Sequence, residues 1–307
     1  MKKVFVYGSI NMDLVMRTKY LPKKGETVIG YGFIENQGGK GANQAVACAK
    51  LGCNTHFIGA VGDDYYGKKL IDSVSSYGVN TYSVQTIKGV PSGKCIIITS
   101  DEDKDNMLVI EMGANEHIDP VYANKHLRDN SAAGDIFVAQ LETNLDDLLK
   151  VSKRAKEYGL YTILNPAPAR DVDKELFKYF DLVIPNETEA EKITGITINN
   201  NDDIKKTYER FKALGVKELI ITLGANGSVY LKDNYMKRFG AYQAVAIDTT
   251  SAGDTFIGAL SSKLSEGLSI EEAIPFASMC SSITVSRRGA AVSIPTLEEV
   301  KRIFNLK

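Results

Sequence analysis

A rhythm constrains this chain more than any single residue does. Short apolar runs rich in β-branched residues alternate with amphipathic segments along most of its 307 residues. The runs at 4–7, 55–61, 135–140, 161–165, 182–184 and 218–223 read as strands, and the segments at 42–51, 65–77, 145–158 and 202–214 as helices. These helical segments are followed by Gly52, Gly78, Gly159 and Gly215, the residue that most easily makes the left-handed turn closing a helix. Strand and helix in regular succession predict an α/β fold: a central, mostly parallel sheet flanked by helices on both faces. Right-handed crossovers then bring ligands to the carboxyl ends of the strands.

Two regions, 13–35 and 92–112, break that rhythm. They hold extended segments at 27–33, 94–99 and 107–111, with the polar turn Ser-Asp-Glu-Asp-Lys-Asp-Asn at 100–106. Lacking a helical period, they read as strands of a small separate β-sheet, placed as a lid over a cleft. No repeat, low-complexity tract or proline-rich linker divides the chain. The expectation is one α/β domain over 1–307 with a lid from about 13–35 and 92–112.

Charge narrows the function. Lys plus Arg is 37 and Asp plus Glu 38, a net charge of −1, which offers no field for nucleic acid or an anionic membrane. No run of ~18 apolar residues would cross a bilayer. The opening Met-Lys-Lys-Val-Phe-Val-Tyr-Gly-Ser-Ile-Asn-Met-Asp lacks the apolar core of a signal peptide, so a cytoplasmic location is expected. Cys48, Cys53, Cys95 and Cys280 are too scattered for a disulfide framework or zinc site and read as core residues.

The familiar nucleotide motifs are missing. Gly39-Lys40 is followed by Gly41 and Gly93-Lys94 by Cys95, so there is no Walker loop; Gly8 is followed by Ser-Ile-Asn, so there is no dinucleotide fingerprint. The informative stretch is Asp248-Thr-Thr-Ser-Ala-Gly-Asp254-Thr-Phe, running into a helical pattern at 255–264. Small residues let backbone N–H groups approach a ligand, and the helix start adds its positive end. The Ala252, Gly253 and Asp254 amides would form an anion hole, with the Asp254 carboxylate beside it. A base next to an anion hole suits phosphoryl transfer to an alcohol. Read alone, the same residues also make an ordinary capped helix start.

Asp-Thr-Thr-Ser-Ala-Gly-Asp-Thr-Phe resembles the carboxyl-terminal signature of the ribokinase-like (PfkB) sugar kinases, and Asn36-Gln-Gly-Gly-Lys-Gly-Ala-Asn-Gln-Ala45 their amino-terminal one. Asn165-Pro-Ala-Pro-Ala-Arg170, Pro185-Asn-Glu-Thr-Glu-Ala-Glu191 and Thr222-Leu-Gly-Ala-Asn-Gly227 continue the resemblance in the family's order, from Gly8 to about Pro295. It implies an ATP-dependent kinase that phosphorylates the 5-hydroxymethyl group of D-ribose. Asp254 would be the general base. Asn11, Asp13, Gly39, Lys40, Asn43 and Glu142 would hold the sugar. Asn186, Thr222, Gly224, Gly227, Gly253 and Ser278 would lie along the nucleotide, with Asn186 and Glu189 organising Mg²⁺ largely through water. Asp248, Thr250, Thr284, Arg287, Gly289 and Ser293 match positions that bind a monovalent cation (K⁺), mostly by backbone oxygens.

Two positions depart from the family pattern. Ser251 stands where Gly or Ala is usual, and its small hydroxyl is expected to be tolerated; Ser278 stands where Asn or His often approaches adenine, and its shorter reach bears on nucleotide affinity, not reaction type. His56, His117 and His126 fall outside every motif and read as surface or structural residues. The alternatives are a kinase for deoxyribose, another sugar or a nucleoside, or a catalytically silent sugar-binding regulator on the same scaffold. Exposed lid edges favour a homodimer, because bare strand edges seek partners.

Overall fold

The computed structural model describes residues 1–103 and 105–306; Lys104, in the polar turn noted above, lies outside the described residues. The chain opens with β1 (Val4–Tyr7), β2 (Asn11–Thr18), β3 (Gly30–Gly38), α1 (Lys40–Lys50), β4 (Thr55–Gly62), α2 (Tyr65–Ser76) and β5 (Asn80–Ile87). Next come β6 (Gly93–Ser100), β7 (Asn106–Glu111), α3 (Pro120–Asn130), β8 (Ile136–Gln140), α4 (Leu145–Glu157), β9 (Tyr161–Asn165) and β10 (Leu182–Val183). Then α5 (Glu187–Thr194), α6 (Asn201–Ala213) and β11 (Glu218–Thr222) lead to the hairpin β12 (Ser228–Lys232) and β13 (Tyr235–Phe239). Three helices finish the chain: α7 (Ala252–Ser265), α8 (Ile270–Val285) and α9 (Leu297–Phe304).

Among the described residues nine strands form one sheet in the order β13-β12-β11-β10-β9-β8-β1-β4-β5. It is parallel from β5 to β11 and turns antiparallel only at the β11-β12-β13 edge. Alternate residues of β1 divide the core. Val4 and Val6 pack on the side of Ala45, Val46, Ile257 and Ile274, whereas Phe5 and Tyr7 pack on the side of Leu127, Leu148 and Val151. That alternation is why a strand covered on both faces reads as a continuous apolar run.

The order places β1 between β8 and β4, so the chain winds outward in both directions from β1. Such a reversal opens a crevice at the carboxyl ends of the two central strands. Here that crevice lies beyond Tyr7 and Gln140. The first helix reaches it because of two glycines. A Cβ on Gly41 would stand 2.6–2.7 Å from the Gly8 backbone, and one on Gly39 (φ +90°) 2.7 Å from the Ile10 Cα.

The smaller sheet runs β3-β2-β6-β7. It is mixed: β2 pairs with β6 in parallel and the other pairs are antiparallel. The first excursion differs in detail from expectation. Its second strand covers Gly30–Gly38 instead of 27–33, and the sheet begins at Asn11. The shift follows from the site, since Asn11↔Gly38 and Asp13↔Asn36 pair as β3 runs straight into α1. All four cysteines are buried and free. His56 Nδ1 and His126 Nε2 lie 3.2 Å apart near the other end of the main sheet, and His117 is exposed.

Candidate active site

The crevice collects residues from the ends of many elements. Ser9 follows β1, Glu142 follows β8, Asn165 ends β9, Asn186 follows β10 and Thr222 ends β11. From the small sheet come Asn11 and Asp13, from α1 Lys40, Asn43 and Gln44, and from α7 Asp254.

Four of the side chains gathered here are buried carboxylates: Asp13, Glu142, Glu189 and Asp254. Burial, then the nearby Glu142 and Asp254 charges, push the Asp13 carboxyl up to about 7. Burial likewise raises Asp254, opposed by Lys40 and by hydrogen bonds from Gln44 and Asn43. Glu189 is raised chiefly by burial as well. Lys40 sits among Asp254, Glu142 and Glu189; burial alone would lower it, but the three acids outweigh that and hold its ammonium charged. Glu142 Oε2 accepts from the Ser9 hydroxyl and, at 3.3 Å, from the Lys40 amide. One ammonium among four acids leaves hydrogen-bond acceptors in surplus. A ligand rich in hydroxyl donors is what such a pocket accommodates.

The glycines around it are held small by contact. A Cβ on Gly38 would meet the Asp13 carboxylate at 2.1–2.5 Å. Asn11, also buried, accepts from Asn115 Nδ2 at 2.8 Å, and Gly93 lies so close that a Cβ would be 2.2 Å from both amides.

Asp254 occupies the first turn of α7. Its Oδ1 accepts from Gln44 Nε2 at 3.0 Å and its Oδ2 from Asn43 Nδ2 at 3.3 Å. The helix start has no side-chain cap. The Ala252 amide donates to the Thr249 carbonyl at 3.3 Å, so one of the three expected anion-hole donors is already engaged. Gly253 and Asp254 keep theirs free of partners among the described residues. A Cβ on Gly253 would meet nothing within 4 Å among them. Gly253 therefore faces open space at a helix N-terminus, as an anion requires.

Ser251 takes φ +60°, a left-handed conformation that favours glycine. Its hydroxyl accepts from Asn43 Nδ2 at 3.0 Å, so the departure from Gly or Ala adds a link between α7 and α1.

Asn186 and Glu189 form a capping box at the start of α5. Glu189 N donates to Asn186 Oδ1 at 2.8 Å and Asn186 N to Glu189 Oε2 at 2.9 Å. The pair therefore caps a helix, and the buried Glu189 carboxylate feels the charge of Lys40. Asn186 bridges to Thr222, and Gly224 and Gly227, both with positive φ, shape the turn after β11. Asn186, Thr222, Gly224, Gly227 and Gly253 are exposed or half-buried, whereas Asn11, Asp13, Asn43 and Glu142 are buried and Gly39 and Lys40 half-buried. Ser278 is one helical turn from Ser281, whose hydroxyl donates to the Ala252 carbonyl at 3.0 Å.

The proposed cation residues divide. Asp248 ties its loop together, accepting from the Thr250 amide and the Gly289 amide, each at 2.9 Å. Thr284 directs its hydroxyl to Thr255 and the Cys280 carbonyl, Arg287 pairs with Glu299, and Ser293 donates to the Ala290 carbonyl. The Thr284 carbonyl also accepts from the Arg287 amide at 3.0 Å, whereas the Arg287 and Ser293 carbonyls have no donor among the described residues.

The sequence motifs assign no role to Ser9, Gln44, Asn115, Gln140 or Asn165. Gln44 and Asn165 lay inside the quoted motifs, but only the fold shows what their amides touch. Asn115 sits in an irregular Gly-Ala-Asn run with no pattern to mark it.

A doubly wound sheet, a switch-point crevice and a buried aspartate beside free helix amides define a phosphotransferase-type site on an α/β scaffold. The chain belongs to the pfkB family of carbohydrate kinases, whose family model matches residues 1–297. It is 37% identical to the ribokinase of Schizosaccharomyces pombe, over 100% of this chain and 99% of that one. The ribokinase structure from Thermotoga maritima superposes with a TM-score of 0.89 at 33% identity, covering 99% and 100% of the two chains. Arabidopsis thaliana ribokinase, solved with ribose and ATP, gives 0.90 at 29%, covering 100% and 99%.

Proposed function

We propose that this protein transfers the γ-phosphoryl group of ATP to the 5-hydroxyl of D-ribose, giving ribose 5-phosphate and ADP. The observation that carries the reading is the Asp254 carboxylate, buried between the acceptor-rich pocket of Asp13, Asn43 and Glu142 and the free amides of Gly253 and Asp254. Likeness to full-length ribokinases supports the choice of sugar.

In this reading ribose lies among Asn11, Asp13, Gly39, Lys40, Asn43 and Glu142, its hydroxyls donating to the carboxylates. Asp254 takes the proton as the 5-oxygen attacks the γ-phosphorus, and the bond to the β,γ-bridging oxygen breaks. The Gly253 and Asp254 amides and Lys40 stabilise the charge on the moving group. Nucleotide lies along Asn186, Thr222, Gly224, Gly227 and Ser278, on the more exposed side. The Asn186 amide and buried Glu189 carboxylate suit Mg²⁺ held through its waters. When bound, Mg²⁺ neutralises charge on the phosphate oxygens. The loop tied by Asp248 (with Thr250, Gly289 and the carbonyls of Thr284, Arg287 and Ser293) suits K⁺, which would hold the α7 entrance in shape. The small sheet acts as a lid that excludes water from the transfer.

A coupled ADP-release assay across ribose, deoxyribose, fructose and adenosine tests the reading, run in K⁺ and again in Na⁺. Ribose should show the highest kcat/KM, and the exchange of K⁺ for Na⁺ should lower it. A preference for adenosine or fructose would reject the substrate, and indifference to the cation would reject its site.

A further inference from the structure

We infer that Gln44 is the positioning residue that holds the Asp254 carboxylate in its proton-accepting orientation, at the end of a buried chain of amides whose polarity is set by one backbone carbonyl. This deepens the proposed reading and rests on Asp254 being the base.

The chain starts at the Ile184 carbonyl, which can only accept. It takes a hydrogen bond from Asn165 Nδ2 at 3.1 Å. That turns Asn165 Oδ1 toward Gln44, where it accepts from Nε2 at 3.2 Å. The second Nε2 hydrogen goes to Asp254 Oδ1 at 3.0 Å. On the far side Gln140 Nε2 donates to Gln44 Oε1 at 2.6 Å. Gln44 and Gln140 are fully buried and Asn165 nearly so.

Reversing the Gln44 amide would set its oxygen against both Asn165 Oδ1 and the carboxylate, two acceptors that cannot reverse in turn: Asn165 is held by the Ile184 carbonyl and Asp254 offers only oxygens. The chain therefore presents Asp254 with a donor and never an acceptor. Gln140 is itself packed so closely that a Cβ on Gly8 would lie 2.0 Å from its Oε1. The other amide on Asp254, from Asn43, is longer at 3.3 Å and shared with Ser251. Orientation falls mainly to Gln44. A purely structural role would be met by the three amides alone; the bond to Asp254 is additional.

The groups facing Asp254 are Lys40 from α1, Glu142 beyond β8, Glu189 from α5 and Asp13 from β2. Lys40 favours its charged form and the three acids oppose it. Removing the Gln44 donor withdraws support from the carboxylate, so the acid limb of activity moves to higher pH.

The test measures kcat, KM for ribose and the pH profile of kcat/KM in Gln44→Met, Gln140→Met and Asp254→Asn. In Gln44→Met, kcat should fall on the order of tenfold, the loss of one hydrogen bond to a charged group, with ribose KM within about twofold and the acid limb shifted upward. Gln140→Met, which frees the far end of the chain, should shift the limb the same way by less, and it serves as the readout if Gln44→Met does not fold. Unchanged kcat and acid limb in a folded Gln44 or Gln140 variant, with Asp254→Asn still inactive, would overturn the inference. So would a rise in KM without a shift of the limb. Near-normal turnover in Asp254→Asn would instead overturn the underlying reading.

Discussion

At the scale of single residues, the site is unstable by its own chemistry. Asp13 lies in a buried cluster of like charge, with its carboxyl raised from 3.8 to about 7. The folded protein holds that proton more tightly than the unfolded chain, so stability falls as pH rises from about 4 to 7 and the full penalty is present above 7. Asp13→Asn should therefore raise the stability of the ligand-free protein at pH 8, by up to about 4 kcal/mol, while weakening ribose binding. The gain should vanish below pH 4. Urea melts at pH 8 and pH 4 read this directly, and equal stability of the two proteins at pH 8 would refute it. The residue scale is also where sequence said most about function, since short motifs marked Asp254 and Asn43, and the resemblance around them added Asp13. It said little about Gln44, Gln140 and Asn165, because an amide can donate or accept, and only neighbours distant in sequence decide which.

At the scale of elements, the periodic segments were legible and the irregular ones were not. β1, β9, α2 and α4 sit within a residue or two of their expected bounds, because a strand buried on both faces and a helix with one apolar stripe each leave a clear period. β5 is an edge strand with a half-exposed, mixed pattern, and the β12-β13 hairpin lies where the parallel rhythm ends. α8 is apolar nearly all round and contains Pro275, so it lacks the stripe that marks a surface helix. The decisive contact between elements is Gly41 on Gly8, which allows α1 to deliver Lys40, Asn43 and Gln44 to the crevice. Gly41→Ala would drive a methyl into backbone at 2.6 Å, and backbone cannot rotate away. It should cost about 1–3 kcal/mol and lower kcat as well, measured by thermal unfolding and turnover. A variant of normal stability and normal kcat would mean that α1 tolerates a different seat.

The whole molecule carries a surface that its core does not explain. On the small sheet Ile96 and Val109 are register partners on one face, 50% and 67% exposed, while Leu108 and Ile110 point to the other face, which also bears Asp13. The Asp13 face would close over the sugar; if the expected homodimer forms, the Ile96–Val109 face is the apolar surface left for it. Ile96→Glu with Val109→Glu should yield a monomer in sedimentation experiments where the unaltered protein is a dimer. A monomeric unaltered protein, or a dimer that survives both changes, would remove that interface. The parallel sheet and the small sheet were both foreseeable at this scale, whereas the pairing of β2 with β6 in parallel was not, since nothing local distinguishes a parallel from an antiparallel neighbour.

In the proposed reaction, turnover depends on proton transfer to Asp254. The most direct test is the turnover of Asp254→Asn, followed by ADP release, with the ribose dissociation constant measured by calorimetry on the same preparation. Turnover should drop by the ~10²–10⁴ of a lost general base while ribose still binds within a few-fold of normal. Turnover within tenfold of the unaltered protein, with ribose bound, would contradict it.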